Sequence, residues 1–534
     1  MTTAFSCYHH DNTTTTQRVN IMIVEKSFPI KTEFSPLQDT TPFAGVLPFL
    51  KILSDGKILH RLPGERLRSQ GWLDGQMVLA VMLLNLLGFD HVSDIDRLED
   101  DRVLCRIVGK VEPHLFGRRR CTLDGRHRGG RKRTFPSPRS IRDWLERCHD
   151  GAAGKRRVRG EAWIPPPSVA LKRLHRINRA MIHRQVKRKN LTHLTIDIDA
   201  TIIPSGKREC LSTYRAANGT VPFEKGYQPL MGYCPEPGMI LHVEMRDGNV
   251  AASTGNCRFL DEILHMLPDR VTSVSVRMDT AGYQHDVIRY CNDPSVRDEA
   301  VRRFGTIGFV VGVSLCDSSK ASIVSTDRDE WQPGSGDCEE WHGAEICHVP
   351  SMVAGMPKGQ RVRYVAFRHG IRELGVGSNE LGGGYWDGVG PCRLRFLATN
   401  HPSPDEDDTD DTSLPARDMW EVRNEANARC GDSEQAHGIV KSDFAGGMLP
   451  SGRFGSNGCW VFLACLSHNL VLTGRDLMVA GTRWMRVRMK AFRAAFIYRS
   501  GRLVSHANRL VLKVPVTGNG RLEEGWNKLF RLQI

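Results

Sequence analysis

Residues 191–203 read LTHLTIDIDATII. Leu194, Ile196 and Ile198 alternate with Thr195, Asp197 and Asp199, and an apolar/polar alternation of period two in a β-branched stretch is the pattern of a strand with one buried face. Asp197 and Asp199 therefore leave the same face, about 6 to 7 Å apart along the backbone. Two acids on one strand face rarely serve packing. The competing reading is that one of them caps the strand end or pairs with an arginine.

Downstream, MILHVEMR (239–246), SVSVRMD (273–279), GFVVGVSL (308–315) and RVRYVAFR (361–368) are also strand-like, separated by helical stretches such as CRFLDEILHMLP and QHDVIRYCN. Strands alternating with helices predict a mixed α/β domain that starts at 191. Residues 318–418 break the rhythm. They are rich in Gly, Trp and turn residues and end in the acidic run PDEDDTDDTS, which predicts a β-rich insertion between a first part (191–317) and a second part (419–534) of the α/β domain. The second part opens with helical segments and closes with a basic tail.

Upstream, residues 1–40 carry a Thr run without apolar periodicity and read as a disordered arm. Residues 41–190 read as a helical, basic domain: FAGVLPFLKIL, WLDGQMVLAVMLLNLLGF and VSDIDRLEDDRVLCRIV are helical, the last capped by Ser93. The 11-residue apolar run 77–87, broken by Asn85, is too short for the ~20 residues that cross a bilayer and predicts a buried helix. No secretory leader is visible at the N-terminus. Fifteen cysteines, an odd number without regular spacing, predict reduced thiols and a cytoplasmic protein.

Charge points to the partner. The 534 residues hold 74 Lys+Arg against 60 Asp+Glu, a net +14, with 40% hydrophobic and 25% charged residues. That composition excludes fibrous and wholly disordered classes and leaves a field that attracts polyanions. The cations cluster: Arg118, Arg119, Arg120, Arg131, Lys132 and Arg133 stand in one run, a second covers 155–189 and a third 483–493. Nucleic acid is the expected partner, with these runs on its phosphates.

Two further positions could carry chemistry. Asp279 ends the strand SVSVRMD on the side away from Val274, Val276 and Met278, at the strand end where α/β sheets hold ligands; an ordinary turn cap is its competing reading. Glu434, His437 and Lys441 fall at i, i+3 and i+7 of one helix, a stripe that could equally be a solvated face. His437 is expected to be a surface imidazole outside the site. Three carboxylates from strand, strand and helix could hold two Mg²⁺ (or Mn²⁺) ions ~4 Å apart, a pair suited to displacement at a phosphodiester.

In order, IDIDAT, GYQPL, RDGN, RMDTAGYQ, SEQAHGIVK and LPSGRFGSN resemble the bacterial insertion-sequence transposases of the DDE type, in the branch with a β-rich insertion between the second Asp and the Glu. The resemblance spans about residues 42–515. It implies a ribonuclease H-like catalytic core interrupted by that insertion, and metal-dependent DNA cleavage and strand transfer. The acids carry over as Asp199, Asp279 and Glu434, the metal ligands, with Lys441 as the basic residue seven positions on. Asp199 is preferred to Asp197 because it precedes the Ala200-Thr201 pair. The implied partners are the element's terminal inverted repeats and target DNA, met at the nucleoid by at least a homodimer, without a membrane. One departure stands out: where many relatives have Tyr and Arg seven and four residues before the Glu, this chain has Asn427 and Cys430. Arg429 is displaced by one position, a ~100° turn of the helix.

Two alternatives stay open. DIDAT also fits the DxDxT loop of haloacid-dehalogenase-like phosphatases, with Asp197 as nucleophile and Asp199 as general acid, although only one acid follows at 279. A transposase remnant that binds DNA without cutting it is the other. Cys338, His342, Cys347 and His348 are zinc-capable residue types, but their spacing matches no zinc pattern.

Overall fold

The computed structural model describes residues 39–62, 71–116, 127–128, 131–158, 161–207, 211–212, 225–348, 362–370, 383–386, 390–404, 414–506, 509–515 and 521–531, with the short strands 22–23 and 32–33. The rest of the expected arm, the run Arg118–Arg120 and the acidic run from 405 to 413 lie outside the described residues.

The stretch that opens the chain's α/β part is strand β1, His193–Ala200. Leu194, Ile196 and Ile198 are buried on one side of it, and β1 lies within a ten-stranded sheet. On one flank comes β2 (Leu230–Cys234), antiparallel to β1, and beyond it β3 (Met239–Glu244), antiparallel to β2. On the other flank, β4 (Ser273–Met278) and β5 (Gly308–Gly312) run parallel to β1. The crossover chains that such parallel pairs need hold α6 (Asn256–Met266) between β3 and β4, and α7 (His285–Asn292) between β4 and β5. Gly232 in β2 answers to α6, since a Cβ there would lie 2.4 Å from Ile263 Cδ1.

The β-rich stretch does not stand apart. Its strands β6 (Gln332–Pro333), β7 (Trp341–Glu345), β8 (Arg363–Gly370), β9 (Gly383–Trp386) and β10 (Gly390–Thr399) continue the same sheet. β10 pairs antiparallel with β5, Val310 opposite Thr399, so the full order is β3-β2-β1-β4-β5-β10-β8-β7-β6, with β9 on β10. The free edge of β5 supplies the template: its unpaired amides and carbonyls are satisfied by the next strand to arrive.

The helical N-terminal part also shares its core with the rest. α1 (Leu47–Asp55), α2 (Asp74–Leu86), α3 (Arg102–Phe116), α4 (Pro138–Glu146) and α5 (Val169–Arg188) precede β1. α8 (Met419–Gly438) and α9 (Phe454–Val479) follow the sheet. α9 packs against α1, α2, α4, α5 and β3, and one apolar cluster runs from Val46 to Leu529. The expected boundary at 190 is thus not a break in the core. α2 is buried on every side; its interrupting Asn85 donates to Ser467 Oγ of α9 at 3.2 Å, while its Oδ1 is buried without a hydrogen-bond partner. No helix among the described residues is long and apolar enough to cross a membrane. The described cysteines are free thiols.

Candidate active site

Sheet register builds the site. In the parallel pair β1/β4, Asp197 stands opposite Arg277 and Ile198 opposite Met278. One more residue along each strand sets Asp199 beside Asp279, on the same face as Asp197 and Arg277 and about one ~4.8 Å strand spacing apart. The two rungs behave differently. Asp197 is fully enclosed, and its carboxylate takes Nε and Nη2 of Arg277 at 2.6 and 2.8 Å. Burial pushes its pKa up, against the pull of Arg277. This is a buried fork-to-fork ion pair, so of the two acids on the strand, Asp197 is the fully enclosed one held by both ends of a guanidinium. The phosphatase reading needs Asp197 as a nucleophile, and this pairing leaves that carboxylate no open face.

Asp199 is partly exposed. Burial raises its pKa to about 6; Arg429 opposes the rise and Asp279 adds to it. Arg429 Nη1 lies 3.1 Å from Asp199 Oδ2. Asp279 caps the short turn Thr280–Gly282 through the Ala281 amide at 2.9 Å, which leaves its other oxygen unaccounted for by the turn. The capping role and the strand-end role belong to one side chain.

α8 covers this face, lying against β1, β2, β4, β5 and β7. Asp418 begins the helix with a reciprocal capping box to Glu421. Val422, Ala426, Ser433, Ala436 and His437 face inward, as does Val440 in the turn beyond the helix. Arg429 lies in that inward stripe, so its displacement by one position does not turn it away from Asp199: the helix phase is set by what is buried. Asn427 accepts from Arg395. Glu434, about 100° round from Ser433, is exposed. Among the described residues no three Asp, Glu, His or Cys side chains gather as a metal-holding group, so Glu434 is not brought together with Asp199 and Asp279.

His437 corrects the expectation of a surface imidazole. It is buried, its Nε2 has no hydrogen-bond partner, and its pKa falls to about 4 through burial first, then through Lys441, Arg429 and His468. After Gly438 the helix widens into a π turn, Ile439–Asp443, a feature frequent at functional sites. The wide turn shifts the helical phase of the residues within and beyond it. Lys441 is half-buried, its Nζ donates to the Ile202 carbonyl at 3.4 Å, and Asp199 is the charge that acts on it. Two cations thus reach the Asp199 neighbourhood from one helix.

Other expected residues are placed elsewhere. Arg133 pairs with Asp96 at 2.6 Å and donates to the Phe135 carbonyl. Arg131 and Lys132 form a short strand paired with His127–Arg128. Arg493, at the end of the third basic run, is buried and donates to the Asn85 and Leu86 carbonyls at the end of α2 at 2.8 and 3.0 Å; it closes a helix and does not face a ligand. Cys338 accepts from Arg423, and His348 meets Ser322.

Residues 72–299 match the transposase DDE domain, group 1. The match includes β1, β4, Asp199 and Asp279 and stops before α8, leaving Glu434, Arg429 and Lys441 outside it. No curated protein matches the chain. Among solved structures, the chain is similar to a piggyBac transposase in a cryo-EM synaptic complex with hairpin DNA, at 12% identity and a TM-score of 0.40, over 85% of this chain and 79% of that one.

Sequence reading missed Arg277 and the inward aim of Arg429. Period two along β4 puts Arg277 on the face of Asp279, a signal present in the sequence. Which β1 acid it would meet depends on inter-strand register, which the sequence alone does not display.

Proposed function

We propose that the chain is a DDE-type transposase of an insertion sequence: it binds the duplex ends of its element, cuts them, and joins the freed 3′ ends to target DNA at the nucleoid. The observation that carries the reading is the nearness of Asp199 and Asp279, each one residue past the last paired position of two adjacent parallel strands, inside the segment matched by the DDE domain. The surrounding mixed sheet supports a ribonuclease H-like core. Holding both ends at once would require at least two copies.

The donor set fits a divalent cation. Two neighbouring carboxylates, one raised to about 6 by burial and by the other's charge, are hard oxygen ligands whose repulsion a cation relieves. Asp199 and Asp279 would hold Mg²⁺ or Mn²⁺; completing a two-ion set with Glu434 requires α8 to turn its exposed face toward β1. When bound, such ions polarise the phosphodiester and the attacking hydroxyl. The chain's own residues do the rest. The buried Asp197–Arg277 pair fixes the strand ends that present both acids, α8 shields the site from water, and Lys441 with Arg429 offers positive charge where phosphate oxygens arrive.

The test is nicking of the element's own end DNA by the full chain, with and without Mg²⁺. Asp199→Asn, Asp279→Asn and Glu434→Gln should each abolish metal-dependent cutting while leaving end binding nearly intact. Cutting that survives in Asp199→Asn, or that needs no metal, contradicts the proposal.

A further inference from the structure

α5 carries nine basic residues in its 20 positions, counting two histidines, and no carboxylate. Its buried side, Leu174, Ile177, Asn178, Met181, Ile182, Gln185 and Val186, packs on β3 and α9. Asn178 fixes the helix in place, donating to the Ile240 and Leu241 carbonyls at 3.2 and 2.7 Å. On the opposite side, Lys172, Arg176, Arg179 and Lys187 are exposed. At 100° per residue these four fall within about 80° of arc, and the row from Lys172 to Lys187 is about 22 Å long. None of the four forms an ion pair among the described residues. Nearby acids offer little relief: Glu262 of α6 is already held by His242 and Arg258 at 2.9 and 2.6 Å, and Asp476 of α9 by Arg188.

A solvated helix face that serves only solubility mixes both signs, because like charges at i, i+3 and i+4 destabilise a helix by a few tenths of a kcal/mol per pair. Here the repulsion is kept along four turns. A ligand that offsets it must be an extended polyanion, longer than a single phosphate and straight over ~20 Å. Duplex DNA, with one charge per ~1.7 Å of axis, has that shape.

We infer that Lys172, Arg176, Arg179 and Lys187 form a track for the backbone of duplex DNA, read without regard to sequence. The inference rests on the DNA-handling reading above and narrows the basic run 155–189 to one face of one helix. Other cations of the run are engaged within the protein: Arg157 with Asp247 and Arg188 with Asp476. Phosphate contacts of this kind position DNA and carry no sequence information.

The experiment measures binding of the full chain to a fluorescent duplex of unrelated sequence across a salt series. A quadruple variant, Lys172→Gln/Arg176→Gln/Arg179→Gln/Lys187→Gln, keeps good helix formers on an exposed face. A control of equal charge change neutralises Lys57, Lys110, Arg142 and Arg328, exposed elsewhere. Four lost phosphate contacts should flatten the log-log salt slope by about 3.6, at ~0.9 per contact, with thermal melting unchanged, whereas the control should move it by less than one. Equal slopes for the two variants overturn the track. So does a variant that loses binding to anionic lipid vesicles while keeping its DNA slope. Because the readout is binding, failed cleavage by the wild-type chain would count against the transposase reading and leave the track standing.

Discussion

Strand β1 and helix α8 both carry acids expected at the site, and the two differ in how firmly the sequence places them. On β1 each side chain has only two directions to choose from, and the parallel register with β4, which sets Asp197 opposite Arg277 and Ile198 opposite Met278, carries on into the neighbouring Asp199 and Asp279. On α8 the direction of a side chain depends on the helix phase, which is set by burial and reset by the π turn at Ile439–Asp443. Glu434 and Lys441 share a stripe in an ideal helix, yet Glu434 is exposed and Lys441 is half-buried beside the Ile202 carbonyl. Acids borne on strands are therefore placed by sequence pattern, and those borne on a helix are placed only once its packing is known.

The sharpest way to break this comparison lies within β1. Asp199→Asn should cost cleavage on the order of a thousand-fold or more, as expected for loss of a group aimed at developing charge, with little change in melting. Asp197→Asn should do the reverse: it strands the buried Arg277 guanidinium, at a cost of roughly 3–5 kcal/mol of stability, visible as a lower melting temperature. If Asp197→Asn abolishes cutting without loss of stability, the two acids have been given each other's roles.

Next in size comes Lys441. Lys441→Ala should slow cutting and strand transfer roughly 10- to 100-fold without changing Mg²⁺ affinity, and Lys441→Arg should recover part of the rate because the charge remains. Wild-type cutting by Lys441→Ala would mean that the π turn does not present this residue to DNA.

The smallest effect is in pH. His468 of α9 is buried and held neutral, its pKa lowered to about 4 by burial. Between pH 4 and 6.5 the unfolded imidazole binds a proton that the folded one does not. Stability is then complete above about 6.5 and is lost as pH falls toward 4. His468→Gln should make that slope shallower by up to ~1.4 kcal/mol per pH unit, measured by denaturant melts at several pH values. An unchanged slope would show that His468 takes up its proton in the folded state.

Much of this molecule is legible in its residues. Period two displayed β1, strand-like runs displayed β3, β4, β5 and β8, and helical stretches were legible at α2, as an apolar run, and at α6, α8 and α9. β2 stayed hidden because LMGYC is short, lies between Pro229 and Pro235, and carries Gly232 where α6 presses against the sheet. The continuity of the sheet through β10 was not legible either, because pairing between strands some 80 residues apart leaves no local trace. Of the site, Asp199 and Asp279 could be named from pattern and resemblance. The aim of Arg429 and the burial of His437 could not, because both depend on the phase of α8.

The central claim is that Asp199 and Asp279 act as one cation-binding rung while Asp197 does not. Calorimetric titration of the full chain with Mn²⁺ tests it without DNA. The account predicts binding by the wild-type chain, loss of it in Asp199→Asn and in Asp279→Asn, and retention of it in a folded Asp197→Asn sample. Undiminished Mn²⁺ binding by Asp199→Asn or Asp279→Asn would contradict it.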